Sequence, residues 1–129
     1  MIRLATVGTG AITEKFLAAC RLTGRYELHT AFSRSLKNGE SFAKSQGFKY
    51  FSDNLRAVAE NSEIDAVYIA TPNAFHYEQS KLFLENGKHV ICEKPIATDC
   101  GKYDELLSLA DKNGLIYAEA IIDGRSEER

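Results

Sequence analysis

The sequence predicts an α/β domain built around a doubly wound parallel sheet, and three observations support this prediction. Short apolar runs rich in β-forming residues alternate with longer segments of helical period over residues 1–120. Glycines follow the helical segments, where helices commonly end, at Gly24, Gly47, Gly87 and Gly114. Right-handed crossovers between successive parallel strands then favour a three-layer sandwich with six strands in the order 3-2-1-4-5-6.

Each strand is identified by an apolar run, and each helix by the periodic segment that follows it. "IRLATV" and "ELHTAF" predict the first two strands, followed by helices over Ile12 to Thr23 and Leu36 to Gln46. "KYF" predicts a weaker third strand, ahead of a helix with Ser52 or Asp53 as its N-cap. "DAVYIA" and "HVICE" predict the fourth and fifth strands, with helices over residues 75–86 and about 99–112. "LIYAEA" predicts the sixth strand.

Length and composition are those of one ordinary domain. The chain has 129 residues, of which 44% are hydrophobic and 26% charged, so a single core is expected over residues 1–120, followed by a charged tail at 121–129. A net charge of -2 gives no electrostatic footprint for nucleic acid, and no apolar run is long enough to span a bilayer. The composition therefore favours a cytoplasmic protein whose partner is a small molecule.

The cysteines and two of the histidines show no pattern typical of a functional site. Cys20, Cys92 and Cys100 are odd in number and have no paired short spacing, so we expect neither a disulfide nor a metal site. His29 and His89 lie in or beside predicted strands and match no motif. We interpret all five residues as structural.

A glycine loop follows the first strand and opens the first helix. "VGTGAIT" reads G-x-G-x-x-T, in the strand–turn–helix context of the dinucleotide-binding Rossmann fold. The first glycine permits a tight turn, and the second lets the backbone approach a pyrophosphate that the free N–H groups of the helix stabilise. Thr13 stands in place of a third glycine, at little expected cost. The alternative is a turn without a ligand. The predicted phosphate contacts are Gly8, Thr9, Gly10, Ala11 and Ile12.

The end of the second strand predicts which dinucleotide binds. NAD-binding units usually place an acid here to accept hydrogen bonds from the adenosine ribose. This chain has Ser33 and Arg34 instead, with Lys37 nearby, and these side chains offer donors and positive charge to a 2′-phosphate. The position therefore favours NADP(H) over NAD(H). The alternative is a solvated arginine in a loop.

The motifs after the fourth and fifth strands extend the pattern beyond the glycine loop. "TPNAFH", residues 71–76, and "EKP", residues 93–95, each follow a strand, as "GTGAIT" does at residues 8–13. With these three motifs in this order, the chain resembles the glucose-fructose oxidoreductase / inositol dehydrogenase (Gfo/Idh/MocA) family over nearly its whole length. The resemblance implies an NAD(P)-dependent oxidoreductase that acts on a sugar, a cyclitol or a related hydroxy or carbonyl compound.

The resemblance also implies roles for individual residues. Lys94 matches the family's E-K-P lysine, which orients the reacting group and handles its proton while hydride passes to or from the nicotinamide. Glu93 matches the acid that holds the nicotinamide ribose or balances the lysine charge. Pro95 fixes the direction of the backbone at Lys94. The loop under the cofactor and the crevice beside it are represented by Thr71, Pro72, Asn73 and His76.

The chain differs from the family in one respect. Family members usually add a second α/β domain that supplies the substrate pocket, a further catalytic residue and the dimer interface, and these 129 residues contain no counterpart of it. We therefore expect cofactor binding without turnover by this chain alone. A free-standing nucleotide-sensing module is the alternative, and a methyltransferase-like domain is disfavoured by "EKP". Homo-oligomerisation through the sheet edge beyond "LIYAEA" is a weaker expectation.

Overall fold

A computed structural model describes residues 1–71, 75–93 and 100–120, which form six parallel strands and five helices. The sheet order is β3-β2-β1-β4-β5-β6, as the sequence predicts. Strands and helices alternate along the chain, so every connection between neighbouring parallel strands is a crossover. In chain order the elements are β1 Ile2–Val7, α1 Ala11–Thr23, β2 Tyr26–Phe32, α2 Leu36–Gln46, β3 Tyr50–Ser52, α3 Leu55–Glu60, β4 Ala66–Ile69, α4 His76–Glu85, β5 His89–Glu93, α5 Cys100–Lys112 and β6 Tyr117–Ala120.

The sheet is covered by helices on both faces, which gives the predicted three-layer sandwich. Successive strand residues point to opposite faces, so β4 contributes Ala66 and Tyr68 to one core and Val67 and Ile69 to the other. The first core lies under α1 and α2, and the second lies under α3, α4 and α5. Among the helices described, none combines the length and apolar character needed to cross a membrane.

The carboxyl ends of the strands lie along one edge of the sheet. β1 pairs in parallel with both β2 and β4, and α1 and α4 lie on opposite faces of the sheet. Strands β2 and β3 are added on one side of β1 and strands β4, β5 and β6 on the other, so the order of strand addition reverses between β1 and β4. Open α/β sheets bind their ligands in the crevice outside such a switch point. At this edge Gly8, Ser33 and Ala70 directly follow β1, β2 and β4, and Glu93 is the last residue of β5.

The start of α3 differs from the prediction. Its N-cap is Asn54, whose side-chain oxygen accepts a hydrogen bond of 3.1 Å from the Ala57 N–H. Ser52 instead ends β3, and its hydroxyl accepts a bond of 3.0 Å from the Asn54 N–H. The prediction of Ser52 or Asp53 as the N-cap was wrong, because three adjacent side chains were all suitable caps and pairing of β3 with β2 decided where the strand stopped.

Candidate cofactor site

Gly8 follows β1 and approaches the backbone of the neighbouring strand closely. Its φ is +121°, in a region that L side chains rarely adopt. A Cβ placed on Gly8 would lie 2.9 Å from the carbonyl oxygen of Ala70 and 3.2 Å from its carbonyl carbon. Only glycine therefore fits this position, and the reason is the fold rather than a ligand.

Gly10 has different surroundings. A Cβ at Gly10 would meet no atom within 4 Å among the residues described, and its φ of -87° is open to any residue. Gly10 is the N-cap of α1, and its carbonyl accepts bonds from the N–H groups of Thr13 and Glu14. In the described part of the chain, the N–H groups of Ala11 and Ile12 have no acceptor. An open space beside free N–H groups at a helix N-terminus fits a bound phosphate.

Thr13 lies on the buried side of the same helix. It is fully buried with Leu17 and Cys20, at the i, i+4, i+7 positions of α1 that face the sheet. Its hydroxyl has no hydrogen-bond partner in the part of the chain described here. A buried unpaired hydroxyl costs about 1–3 kcal/mol. Replacing the third glycine by threonine therefore has a cost that the sequence does not reveal.

A cavity of about 460 Å³ opens beside this loop, at the end of β2. Its volume is in the range of small-molecule sites. Phe32, Leu55 and Phe75 provide apolar walls. Arg34 is the one charged side chain among the described lining residues, so this part of the lining has a positive charge and no carboxylate. The remaining lining residues are Gly8, Ser33, Ser35, Asn38, Thr71 and Gln79.

Two serine hydroxyls at the cavity act as acceptors within the protein. The Ser33 hydroxyl accepts from the Ser35 N–H at 3.3 Å, and the Ser35 hydroxyl accepts from the Asn38 N–H at 3.3 Å as the N-cap of α2. Among the residues described, neither hydroxyl donates a bond, so both protons are available to an anion. The N-terminus of α2 adds its dipole at the same place.

Arg34 and Phe75 connect the second strand's end to the start of α4. The guanidinium carbon of Arg34 lies 5.7 Å from the centre of the Phe75 ring, within cation–π range. Both side chains line the cavity, and Phe75 is exposed. Lys37, which the sequence placed near this site, is exposed and does not line the described cavity.

His76 is buried instead of facing the cavity. It is 1% exposed, and its Nε2 lies 2.6 Å from the carbonyl oxygen of Thr71. The Thr71 hydroxyl in turn donates to the Gln79 side chain at 2.6 Å. The side chains of His76 and Gln79 in α4 therefore hold Thr71, which lies two residues after the end of β4. A direct contact between His76 and a cofactor stays a prediction, and Pro72 and Asn73 lie outside the described residues.

Glu93, the last residue of β5, is half-buried and bonded to a tyrosine. Its Oε2 accepts a hydrogen bond of 2.7 Å from the hydroxyl of Tyr68. Lys94 follows Glu93 directly in the chain and lies outside the described residues, as does Pro95. The structure thus brings the glycine loop, Ser33, Arg34, Thr71 and Glu93 to one edge of the sheet, and their contact with a cofactor stays a prediction.

Sequence reasoning missed several residues at this edge. Ser35 and Asn38 belong to the N-terminus of α2, and a serine directly before a predicted helix was a usable signal for an N-cap. Tyr68 is paired with Ile91 in the parallel register, so it shares a sheet face with Glu93, two residues further along. Leu55 and Gln79 carried no sequence signal, and Phe75 lies within "TPNAFH" but had no role assigned to it, because only packing brings these side chains to the cavity.

His29, His89, Cys20 and Cys92, which match no functional motif, make contacts within the fold. His29 is buried, with its ring nitrogens 2.6 Å from the Thr30 hydroxyl and 3.0 Å from the Glu63 carboxylate. His89 accepts a bond of 3.1 Å from the Ile116 N–H. Cys20 and Cys92 are buried. Within the described ranges, no group of three or more His, Cys, Asp or Glu side chains is arranged to hold a metal ion.

Comparison with known proteins gives close matches. Over 120 residues the chain is 41% identical to the uncharacterized oxidoreductase YgjR of Escherichia coli, and over 121 residues it is 40% identical to scyllo-inositol 2-dehydrogenase (NADP(+)) IolU of Bacillus subtilis. These alignments cover 93% and 94% of this chain and 37% of each relative. The chain thus spans little more than a third of the length of the curated relatives it matches.

The fold matches solved oxidoreductases as well. A 3-ketoreductase from Actinomadura kijaniata, solved in complex with NADP and TDP-benzene, superposes with a TM-score of 0.86 at 29% identity, over 92% of this chain and 36% of that one. The model of the oxidoreductase family with an NAD-binding Rossmann fold matches residues 2–121. The chain therefore belongs to the Gfo/Idh/MocA oxidoreductase family, of which it represents the NAD-binding Rossmann domain.

Proposed function

We propose that this chain binds NADP(H) at the carboxyl edge of its sheet. In our proposal it is the nucleotide-binding part of an oxidoreductase that transfers hydride to or from a sugar, a cyclitol or a related hydroxy or carbonyl compound. The main supporting observation is the open space at Gly10, next to the 460 Å³ cavity and beside the N–H groups of Ala11 and Ile12, for which the described residues offer no acceptor. Together they fit a ligand with a phosphate and a flat aromatic group.

The cavity suits the adenosine half of the cofactor. Apolar walls formed by Phe32, Leu55 and Phe75 match an adenine ring. The hydroxyls of Ser33 and Ser35 would donate to a 2′-phosphate, and Arg34 would pair with it. The names of two similar proteins agree with this choice, since one is an NADP(+)-dependent dehydrogenase and the other was solved with NADP.

The catalytic roles proposed for this chain belong to the end of β5. When bound, the nicotinamide supplies the position that gives or takes the hydride. Glu93 would accept a hydrogen bond from a hydroxyl of the adjoining ribose. Lys94, the next residue, would donate to the alcohol or carbonyl oxygen of the substrate and hold its proton at Nζ. Thr71, anchored by α4, would hold the backbone beneath the cofactor.

We further propose that this chain alone does not turn over substrate. Hydride transfer requires a second reactant held at reacting distance, and orientation accounts for about 7–11 kcal/mol of such barriers. The relatives devote almost two thirds of their length to residues beyond the region that this chain matches. A module that binds or senses the nucleotide without catalysis is the second candidate, because the residues proposed to contact the cofactor all lie within these 129 residues.

Calorimetric titration with NADPH and NADH tests the proposed binding. We expect NADPH to bind at least several-fold more tightly, with the difference falling as salt screens the phosphate contact. Arg34→Ala should remove the preference while NADH binding is retained. Lys37→Ala is the matched control, since Lys37 is a nearby exposed cation outside the described cavity lining.

Gly10→Val tests the phosphate loop in the same experiment. A branched side chain would occupy the open space beside α1, so neither dinucleotide should bind. S-adenosylmethionine serves as the negative ligand for the wild-type chain. Equal affinities for NADPH and NADH would refute the cofactor choice, and normal binding by Gly10→Val would refute the site. Binding of S-adenosylmethionine alone would support a methyltransferase-like domain instead.

A further inference from the structure

Tyr68 places a phenol hydroxyl inside the sheet core, directed at the end of the neighbouring strand. The side chain is completely buried in the core beneath α1. Its Cα is level with Ile91 of β5, and its hydroxyl reaches one side-chain position further along that face, to Glu93. Glu93 in turn is the last residue before Lys94.

The bond between Tyr68 and Glu93 has the features of a strong, directional contact. At 2.7 Å it joins a neutral donor to a carboxylate, and such charge-assisted bonds are roughly twice as strong as neutral ones. Burial and the neighbouring carboxylate both raise the pKa of the Tyr68 hydroxyl, so it remains a proton donor throughout the working pH range. Complete burial and the stacking of Phe16 of α1 on the ring, with 3.8 Å between centroids and 3° between planes, restrict the rotation of the Tyr68 side chain.

Only one of the two carboxylate oxygens of Glu93 is used in this way. Oε2 accepts from Tyr68, whereas Oε1 has no donor among the residues described. Glu93 is half-buried at the sheet edge that holds the glycine loop. One oxygen is therefore held from inside the protein, and no described residue competes with a ligand hydroxyl for the other.

We infer that Tyr68 is a positioning residue, which holds the Glu93 carboxylate so that its second oxygen accepts a hydrogen bond from the ribose next to the nicotinamide. This inference rests on the proposed function, since it needs a dinucleotide at this edge. It adds a residue from the interior of the sheet to the site, and it connects α1, which carries the phosphate loop, to the strand end that precedes Lys94.

A purely structural role is the competing explanation. A buried hydroxyl needs a partner wherever it occurs, and Glu93 would then simply satisfy Tyr68. The two explanations differ in what happens to ligands. If Tyr68 positions Glu93, loss of its hydroxyl weakens the binding only of ligands that include the nicotinamide half of the cofactor. If its role is packing or stability, the same change weakens the binding of every ligand of the domain.

The test compares NADPH with 2′,5′-ADP, which has the adenosine and its 2′-phosphate but lacks the nicotinamide ribose. Both are titrated calorimetrically into the wild-type chain, Tyr68→Phe, Glu93→Gln and the double variant. Phenylalanine keeps the ring that stacks on Phe16 and removes only the hydroxyl. Tyr77→Phe is the matched control, because it removes another tyrosine–glutamate bond of 2.7 Å, to Glu105, between α4 and α5.

We expect Tyr68→Phe to weaken NADPH binding by about 3–10-fold and to leave 2′,5′-ADP binding within twofold of the wild type. The double variant should bind NADPH no more weakly than Glu93→Gln, because Tyr68 acts through Glu93. Tyr77→Phe should change neither ligand. Unchanged NADPH binding in Tyr68→Phe, or an equal loss for both ligands, would overturn the inference.

The wild-type chain separates this inference from the proposed function. Failure to bind 2′,5′-ADP at all would refute the proposed function, and the inference with it. Binding of 2′,5′-ADP with NADPH no tighter would leave the adenosine site intact and overturn the inference alone, because the nicotinamide half would then make no contact for Tyr68 to support.

Discussion

Replacing Gly8 by alanine should lower the stability of the domain much more than replacing Gly10 by alanine, although the two glycines belong to one loop. Alanine at Gly8 must adopt a φ near +121°, and strain of this kind costs of order 1–3 kcal/mol. Its Cβ would also lie 2.9 Å from the Ala70 carbonyl oxygen. That atom belongs to backbone held by a bond of 2.9 Å from the Ala70 N–H to the Val7 carbonyl, so relieving the overlap adds about 1–3 kcal/mol.

The total predicted loss of unfolding free energy is therefore about 2–6 kcal/mol for Gly8→Ala. Gly10→Ala meets no atom within 4 Å of its Cβ and keeps an allowed φ, so it loses only the N-cap preference for glycine, at most about 1 kcal/mol. For a domain of this size 1 kcal/mol corresponds to a Tm change of about 4 °C. Gly8→Ala should thus melt roughly 8–24 °C below the wild type, and Gly10→Ala within about 4 °C of it.

Circular dichroism melts and urea titrations of the three proteins measure these differences, and NADPH titration at a temperature where all are folded completes the comparison. Relative to the stability that each variant loses, we expect Gly10→Ala to lose more NADPH affinity than Gly8→Ala. Equal melting temperatures for the two variants would refute the argument from Ala70. So would a Gly10→Ala variant less stable than Gly8→Ala.

Three further predictions follow from named side chains. Burial raises the pKa of the Cys20 thiol to about 11, so iodoacetamide at pH 8 should leave Cys20 unmodified in the native protein and label it in urea, as read by peptide mass; rapid native labelling would contradict its burial. The side-chain bond from Arg3 lowers the pKa of Asp65, so its stabilisation is complete above the ordinary aspartate pKa of about 3.9 and is lost as pH falls through the lower folded value. Urea titrations should therefore show the wild type's advantage over Asp65→Asn constant at pH 5–7 and shrinking below about pH 4; an advantage independent of pH would exclude this origin. NADPH absorbance with a panel of ketoses, inosose and aldehydes should show rates near background, and turnover that is lost in Lys94→Ala would mean that a second copy or another chain completes the active site.

Local sequence signals were sufficient for the sheet and for the position of the glycine loop between β1 and α1. Apolar runs and helical periods specify parallel strands and crossovers, and the handedness of crossovers restricts the strand order to very few choices. The glycine pattern locates the loop because Gly8 and Gly10 both lie in the short segment between β1 and α1. The family motifs likewise placed Thr71 and Glu93 at strand ends, where the structure has them.

Tertiary structure alone decided which side chains contact each other and which are buried away from the cavity. "VGTGAIT" does not show that Gly8 is required by Ala70 whereas Gly10 faces open space, because Ala70 is 62 residues further along the chain. His76 matched a motif and yet is buried against Thr71, and Arg34 lies over Phe75, a residue that no local pattern singled out. Tyr68 and Glu93 meet because two parallel strands pair in one register. Periodicity is a property of consecutive residues, whereas these contacts depend on the relative positions of elements distant in sequence, which only packing of the whole sheet determines.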